Sequence, residues 1–257
     1  MTLRTLPPPA SPPPASTPCR LGAVSSTLFI PLAARAHGDA LYPELAVNDA
    51  HAARLLQVLG VDVQPFLADR PTLYGILART HILRDQAREF FAQHPGALGV
   101  SLGCGLAHYH QWLDNGRNRW IDADVPEVAA LRETLLPAAG TRRRNASIDL
   151  TQPGWWQQLD LPGPRARTPV LLQCEGVLMY LTPAQVAAVL QEIGDNAPAG
   201  SVLLFDFVTS FAVGFAGEHP SVRYTGAEFR WGPRRMSDIS AAHARLALRN
   251  THPVMEA

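Results

Sequence analysis

The sequence predicts an α/β protein with a mostly parallel, Rossmann-like sheet and helices on both of its faces. From residue 97 onward, strand-like apolar runs alternate with helical patterns, which is typical of βαβ units. The runs at residues 170–172 and 202–205 are apolar throughout, as expected for strands buried on both faces. The apolar run 97–102 ends in Gly103 and Gly105, a pattern typical of the first turn of a nucleotide-binding α/β unit.

Two helical patterns precede the first strand. The pattern is helical over residues 27–60, where apolar residues recur at helical spacing at positions 52, 55, 56 and 59 and Asp49 is suited to be an N-cap. A second apolar stripe predicts a helix over residues 72–94, ended by the Pro-Gly pair at 95–96. Because both helices come before the sheet, we expect them to form a cap over the ligand site.

Strands and helices then follow in turn. Helices are expected at residues 108–114, 127–135, 155–159 and 184–196, and strands at 119–121, 145–148, 170–174 and 202–207. The regular order favours right-handed crossovers within a single parallel sheet.

The chain divides into three predicted regions. Residues 1–20 are rich in Pro, Ala, Ser and Thr, a composition that buries little, so we predict a disordered leader. Residues 21–96 are predicted to form the helical cap. Residues 97–257 are predicted to form the ligand-binding core.

Composition argues against several classes of function. The chain has 257 residues and a formal net charge of zero, so we predict no nucleic-acid partner. No apolar run approaches the ~18–20 residues that a membrane span needs, so no membrane association is predicted. Three scattered cysteines favour a cytoplasmic protein without disulfides. His108 and His110 do not share a helix face, and no metal site is predicted.

Acidic residues lie at the ends of four of the predicted strands. They are Asp122 and Asp124 after the second strand, Asp149 after the third, Glu175 after the fourth and Asp206 at the end of the fifth. In an open parallel sheet, ligands bind beyond the carboxyl ends of the strands, so these residues mark the candidate site. Asp124 lies 19 residues after Gly105, close to the spacing at which a carboxylate binds ribose hydroxyls. His108 stands where the third glycine of a dinucleotide pattern would be, so a nicotinamide-dependent oxidoreductase is a weaker alternative.

Longer motifs resemble a known family. The matching stretches are residues 100–106 (VSLGCGL), 113–116 (LDNG), 120–128 (WIDADVPEV), 175–181 (EGVLMYL) and 227–232 (AEFRWG). They closely resemble S-adenosylmethionine-dependent O-methyltransferases, in the branch that contains the leucine carboxyl methyltransferases and the tetracenomycin-type polyketide O-methyltransferases. The similarity covers about residues 25 to 240, and the string at 175–181 is its most specific part.

The resemblance implies a class I methyltransferase fold that binds S-adenosyl-L-methionine. The implied cofactor-binding residues are Arg35, Arg79, Gly103, Gly105, Asp122, Asp124, Asp149, Leu150 and Glu175. By the same resemblance, Asp124 would hold the ribose hydroxyls with Asp122 nearby, and Asp149 with Leu150 would bracket the adenine. Glu175 would face the cofactor.

The resemblance also implies roles for residues outside the strand ends. Arg79 would pair with the methionine carboxylate, for which a planar two-pronged donor is well suited. Arg35 would lie near the same group. Tyr180 would face the acceptor, and it is the candidate catalytic residue.

The implied reaction is methyl transfer to a carboxylate or a phenol of a small, polyketide-like metabolite. A carboxylate is ionised at neutral pH and needs no base, and no histidine in the sequence is a compelling base, which favours a carboxylate. Methylation of a protein's C-terminal carboxylate is an alternative. A second alternative is a non-catalytic relative that binds cofactor or a partner only.

Two departures from the family motivate the non-catalytic alternative. Residues 107–109 read Ala-His-Tyr, where the family usually has Asp-Thr-Arg. Only 25 residues follow Gly232, and they lack a clear pair of strands to complete the sheet. We therefore expect an exposed sheet edge that could pair with a partner, with the oligomeric state left open.

Overall fold

A computed structural model of the chain describes residues 21–138 and 140–254. The prediction of a disordered leader over residues 1–20 lies outside the described residues. The described part contains an α/β core preceded by helices, in the order that the sequence predicts.

Five strands form one sheet in the described residues. They are β1 (Leu98–Leu102), β2 (Arg119–Asp124), β3 (Arg143–Ser147), β4 (Val170–Cys174) and β5 (Val202–Phe205). Their order across the sheet is β3-β2-β1-β4-β5, and every neighbouring pair is parallel. The predicted Rossmann-like α/β fold is confirmed.

Ten α-helices accompany these strands in the described part of the chain. They are α1 (Ala23–Ser26), α2 (Phe29–Leu41), α3 (Ala52–Leu59), α4 (Gln64–Leu67), α5 (Arg70–Gln93), α6 (His110–Leu113), α7 (Pro126–Leu135), α8 (Trp155–Gln158), α9 (Pro183–Asn196) and α10 (Ser237–Ser240). Asp49 Oδ1 accepts hydrogen bonds from His51 N and Ala52 N at the start of α3, but the N-cap residue is His51, so the predicted N-cap at Asp49 is wrong by two residues. None of the described helices is long and apolar enough to cross a membrane.

The two faces of the sheet pack against different helices. On one face, strand residues join α8 and α9 in an apolar cluster that includes Val100, Leu172 and Val189. On the other face, Trp120 and Leu171 pack against the C-terminal half of α5. Side chains two apart on a strand share a face. Leu171 and Glu175 therefore point to the same side of β4, towards α5.

A third apolar cluster joins the N-terminal helices to the loops that follow β4 and β5. It includes Leu32 of α2, Leu55 of α3 and Leu73 of α5. Tyr180 and Phe229 belong to the same cluster. The helices before β1 therefore cover the carboxyl ends of the strands, as a cap would.

The β5 strand pairs with β4 alone among the described strands, and residues 206–254 form no further strand. They form short helical turns and coil instead, and Ala242 and Leu246 pack against the sheet cluster. This agrees with the expectation that no strand pair follows residue 232.

The basic triplet at residues 142–144 lies only partly at the surface. Arg143 is buried, because its guanidinium bonds the Asp122 carboxylate at 3.1 Å. Arg142 pairs with Asp114 at the surface. Position 143 is therefore part of the core.

Candidate functional site

A cavity of about 800 Å³ lies over the carboxyl ends of the strands. Its floor includes Gly103, Asp124, Asp149, Glu175 and Asp206, so every strand contributes at least one residue from its end. The four acidic strand ends predicted to lie together do meet in this cavity.

The facing wall comes from the N-terminal helices. Thr72, Gly75, Ile76 and Arg79 of α5 line the cavity, at the i, i+3, i+4, i+7 spacing of one helix face. Residues 22–28, which include α1, also line it. Ser25 Oγ donates a hydrogen bond to Glu127 Oε1 at 2.9 Å and so ties α1 to α7 across the cavity.

The turn after β1 requires glycine at two positions. Gly103 and Gly105 have φ of +67° and +51°, in the left-handed region. A Cβ at Gly103 would collide with the Val177 side chain. A Cβ at Gly105 would lie 3.2 Å from the Cβ of Leu28. The conformation of this turn and its packing against Val177 and Leu28 therefore both require glycine, and both glycines border the cavity.

Asp124 is fixed by the backbone on both carboxylate oxygens. Oδ2 accepts a hydrogen bond from Gly105 N at 2.7 Å, and Oδ1 accepts one from Val125 N at 2.8 Å. Burial raises the pKa of this carboxyl, although the two backbone bonds oppose the shift. Each oxygen keeps a second lone pair, so the group can accept a pair of neighbouring hydroxyls.

A buried ionic cluster lies on the α5 side of the floor. Arg79 donates from Nε and Nη2 to Glu175 Oε1, at 3.0 and 2.8 Å, and from Nη1 to Asp206 Oδ2 at 2.7 Å. Tyr109 Oη donates to Glu175 Oε2 at 2.6 Å. Gly176 N donates to Asp206 Oδ1 at 2.6 Å, which connects the cluster to the loop after β4.

The cluster is ionised at neutral pH. Burial alone would raise the pKa of Glu175, but the charges of Arg79 and Arg35 hold it below its usual value. Burial alone would lower the pKa of Arg79, but Asp206 and Glu175 raise it. A guanidinium has five N–H groups, and these contacts occupy three of the five on Arg79. An anionic group on a ligand could bind the rest.

Arg35 also lines the cavity, but its partner is Asp49. The Nε–Oδ2 distance is 2.9 Å, and both side chains are almost fully buried. Although burial opposes ionisation, the charge of Arg35 holds the pKa of Asp49 below its ordinary value. Arg35 therefore contributes positive potential near Glu175 and Tyr109 without bonding to either.

Asp122 does not line the cavity, and its predicted place beside the ligand is wrong. Its carboxylate is fully buried and contacts Arg132 at 2.7 Å and Arg143 at 3.1 Å. It also accepts a hydrogen bond from Trp120 Nε1 at 3.0 Å. The reason is that β2 runs to Asp124 and not to residue 121, so Asp122 lies inside the strand, one layer below the site.

The remaining predicted residues do line the cavity. Leu150 is buried there, and Asp149 Oδ1 accepts hydrogen bonds from Thr151 N and Oγ1, at 2.9 and 2.7 Å. Tyr180 lies in the 3₁₀ turn Leu178–Tyr180, and its ring centroid is 5.8 Å from that of Phe229. Burial raises the pKa of the Tyr180 hydroxyl, so this group stays protonated.

Asp206, Tyr109, Thr72 and His219 line the cavity but are not among the predicted cofactor-binding or catalytic residues. Asp206 carried a signal, since it lies at the end of a predicted strand, but no motif includes it. Tyr109 lies in the stretch that departs from the family pattern. Thr72 and His219 carry no sequence signal, because only the fold brings the loop after β5 against the start of α5.

Comparison with known proteins agrees with this geometry. The family model for leucine carboxyl methyltransferase matches residues 29–194. Tetracenomycin polyketide synthesis O-methyltransferase TcmP of Streptomyces glaucescens is 34% identical over 215 residues, which are 83% of this chain and 76% of that protein. S-adenosyl-L-methionine-dependent methyltransferase dpfgK of Gibberella zeae is 28% identical, over 82% of this chain and 76% of that protein.

One solved structure shares the fold over most of its length. It is a protein from Thermobifida fusca YX, provisionally assigned as a methyltransferase, with a TM-score of 0.51 and 19% identity. The match covers 81% of this chain and 78% of the other. The extent of the family model, the identity to TcmP and the shared sheet confirm the predicted resemblance: the chain belongs to the leucine carboxyl methyltransferase family, and it is a methyltransferase.

Proposed function

We propose that the protein transfers the methyl group of S-adenosyl-L-methionine to an oxygen atom of a small acceptor molecule. The observation that carries this proposal is the pairing, within one cavity, of a backbone-fixed carboxylate with a buried arginine. Gly105 N bonds Asp124 Oδ2 at 2.7 Å, and Arg79 retains N–H groups beyond its bonds to Glu175 and Asp206. These groups match a ligand with ribose hydroxyls at one end and an amino-acid carboxylate at the other.

The residues present fit this cofactor. Gly103 and Gly105 line the cavity in the left-handed backbone conformation, and packing against Val177 and Leu28 leaves no space for a Cβ at either position. Asp124 would hold the ribose hydroxyls, and Asp149 with Leu150 would flank the adenine. Arg79 would bind the methionine carboxylate, with Arg35 adding positive potential and Glu175 facing the cofactor.

The bound sulfonium supplies a methyl group on a good leaving group. The chain then has to align the acceptor oxygen with that methyl group and keep water out. Tyr180 and Phe229 give the acceptor side an aromatic wall, which suits a small polyketide-like metabolite of the kind that TcmP's name indicates.

We propose a carboxylate as the acceptor group, with a phenol as the second candidate. A carboxylate is already ionised at neutral pH, whereas a phenol with a pKa of about 10 needs help to lose its proton. Protein C-terminal carboxylates remain a third candidate, and the test includes them.

The test is to incubate the purified protein with S-adenosylmethionine carrying a labelled methyl group. The panel contains aromatic carboxylic acids, phenols and peptides with free C-termini. We expect label in a base-labile methyl ester of a small acid. Cofactor binding with no transfer to any class would favour the non-catalytic alternative. If the protein bound NAD and bound neither S-adenosylmethionine nor its demethylated product, the proposal would be overturned.

The proposed role of Arg79 has its own test. Lysine keeps the charge but loses the two-pronged geometry, so Arg79→Lys should weaken S-adenosylmethionine binding. A charge-assisted hydrogen bond is worth about 1.5–3 kcal/mol, or roughly ten- to a hundredfold in affinity. Calorimetry with adenosine, which lacks the carboxylate, is the control and should show little loss. Equal loss for both ligands would mean that Arg79 acts only by holding Glu175 and Asp206.

A further inference from the structure

His219 lies on the cavity wall, in the loop that follows β5. Its Nε2 is 3.4 Å from Thr72 Oγ1 on α5. Its ring contacts Phe229 edge to face, with centroids 5.9 Å apart. The imidazole is thus packed between the start of α5 and the aromatic wall, and it contributes the polar edge of that wall.

The other ring nitrogen is held by the backbone. Ser221 N and Val222 N both donate hydrogen bonds to His219 Nδ1, at 3.3 Å each. An imidazole nitrogen that accepts hydrogen bonds carries no proton, so the ring proton is assigned to Nε2. The loop that carries His219 is also attached to the start of α5, because Ser221 Oγ donates a hydrogen bond to Asp69 Oδ2 at 2.7 Å. The tautomer is therefore set by the fold.

The position of Thr72 on α5 places this group relative to the ionic cluster. Thr72 and Arg79 line one face of α5, seven residues apart, which corresponds to about 10 Å along a helix. Thr72 therefore lies about 10 Å from the arginine proposed to bind the cofactor's carboxylate, and neither Thr72 nor His219 is among the residues proposed to bind its ribose or adenine. This end of the cavity is available to the acceptor.

We propose that His219 binds the acceptor by donating a hydrogen bond from Nε2 to one of its oxygen atoms, and that His219 is not the base of the reaction. The proposal rests on the proposed methyl transfer. It assigns an acceptor subsite to the Nε2–H of His219 and the hydroxyl of Thr72, on the wall shared with Phe229. The Nε2–H has Thr72 Oγ1 as its partner at 3.4 Å, a long contact that an acceptor oxygen would replace, and the Thr72 hydroxyl keeps its own proton to donate. Two such donors recognise an oxygen with free lone pairs, as in a carboxylate or a carbonyl.

The ionisation state of the ring is consistent with a donor. Burial lowers the pKa of His219, and the one charge that opposes this shift is that of Asp69. The imidazole is therefore neutral at neutral pH, with its single proton on Nε2, the nitrogen beside Thr72 Oγ1. A base would need its lone pair there.

The first test is spectroscopic and does not depend on turnover. Nitrogen-15 labelling of the histidines, with His219→Gln to assign the signal, reports which ring nitrogen is protonated. We expect the Nε2–H form at neutral pH, in the full chain without substrate. A proton on Nδ1, or a doubly protonated ring, would overturn the proposal.

The second test uses two substitutions, each of which keeps one of the two hydrogen-bonding functions of the His219 ring and removes the other. His219→Asn keeps an acceptor close to the Nδ1 position for Ser221 and Val222 but removes the donor. His219→Gln keeps an N–H near the Nε2 position but removes the acceptor. Losing a neutral hydrogen bond costs about 0.5–1.5 kcal/mol. We therefore expect the Asn variant to raise the acceptor KM about 3- to 10-fold, and the Gln variant to recover part of that loss.

The alternatives give different results in the same experiment. If His219 were the base, both variants would lose about 10²- to 10⁴-fold in kcat and the acidic limb of the pH profile would disappear. If its role were structural only, the Gln variant would be the worse of the two, with a lower melting temperature. S-adenosylmethionine affinity should stay close to that of the parent in both variants. If the parent itself transfers no methyl group, the proposed function fails, while the tautomer test still stands.

Discussion

Asp122 and Asp124 lie only two residues apart on β2 and have different roles. Asp124 ends the strand and opens onto the cavity, whereas Asp122 is enclosed by Arg132 and Arg143. Arg132 in turn donates to the carbonyl oxygens of Gly105 and Ala107, at 3.1 and 2.6 Å. Asp122 therefore supports the glycine turn from beneath, through a buried arginine, without touching a ligand.

Asp122→Asn should destabilise the fold, because it leaves two buried guanidinium groups without their counter-charge. Breaking a buried pair in this way costs about 3–5 kcal/mol. Urea denaturation should show a lower midpoint with an unchanged slope. Asp114→Asn is the matched control, since its pair with Arg142 is at the surface and should matter little. A midpoint equal to that of the parent would contradict the buried role of Asp122.

The residue pattern was sufficient to identify Asp124 as a residue of the cavity. It was insufficient to show that Asp122 lies outside the cavity. Alternation places both on one face of β2, and the sequence does not show how far the strand extends. The strand was predicted to stop at residue 121 and it continues to Asp124. Whether a carboxylate borders the cavity or contacts a buried arginine depends on how far it lies from the end of its strand. That distance is known only from the folded structure.

At the scale of elements, α5 organises the site. Its N-cap, Asp69, accepts a hydrogen bond from Thr72 N at 3.3 Å and another from Ser221 Oγ at 2.7 Å. One buried carboxylate thus begins the helix and anchors the loop that carries His219. The helix then presents Thr72 and Arg79 to opposite ends of the same cavity.

Asp69→Ala should destabilise α5 and release the loop together. Loss of an N-cap costs about 1 kcal/mol, which a thermal melt detects. The loop effect should appear as faster tryptic cleavage after the exposed Arg223. Asp69→Asn keeps the cap and should restore both properties largely to parental values. If the Ala variant melted lower without faster cleavage, the anchor at Ser221 would be shown to be unimportant.

Helical periodicity located α5 and α9 to within a few residues, because their apolar stripes are long and regular. Helical periodicity did not predict the contact between Asp69 and Ser221, which are 152 residues apart. Neither residue belongs to a motif, and Ser221 lies in the region that follows β5, far along the chain from α5. Local pattern predicts elements, whereas the loops that close a cavity depend on long-range contacts.

At the scale of the whole molecule, buried histidines make stability depend on pH. Burial lowers the pKa of His108 to about 3. An unfolded histidine has a pKa of about 6.5. Between those values the unfolded chain binds a proton that the folded chain does not. The free energy of unfolding therefore has its full value above a pH of about 6.5 and decreases as the pH falls below it. Burial lowers the pKa of His51 and His219 as well, with the same sign.

We expect the free energy of unfolding to decrease as the pH is lowered from neutral towards about 4. His108→Asn should flatten this decline, since asparagine can accept from Arg132, as His108 Nδ1 does at 3.5 Å, but does not titrate. Urea midpoints measured across the pH range provide the test. His252→Asn, at an exposed position, should leave the slope unchanged. An identical slope in the His108 variant would show that this ring does not control the acid limb.

The hydrogen bond from Ser25 to Glu127 has a consequence for exchange kinetics. It ties the short helix α1 to α7 across the cavity that the glycine turn borders, so α1 covers part of the space beside that turn. Both partners are at the surface, where such a bond contributes little, so lifting requires far less free energy than unfolding the sheet beneath. The residence time of spent cofactor, and with it the pace of successive turnovers, would then be governed by a four-residue helix that takes no part in the chemistry.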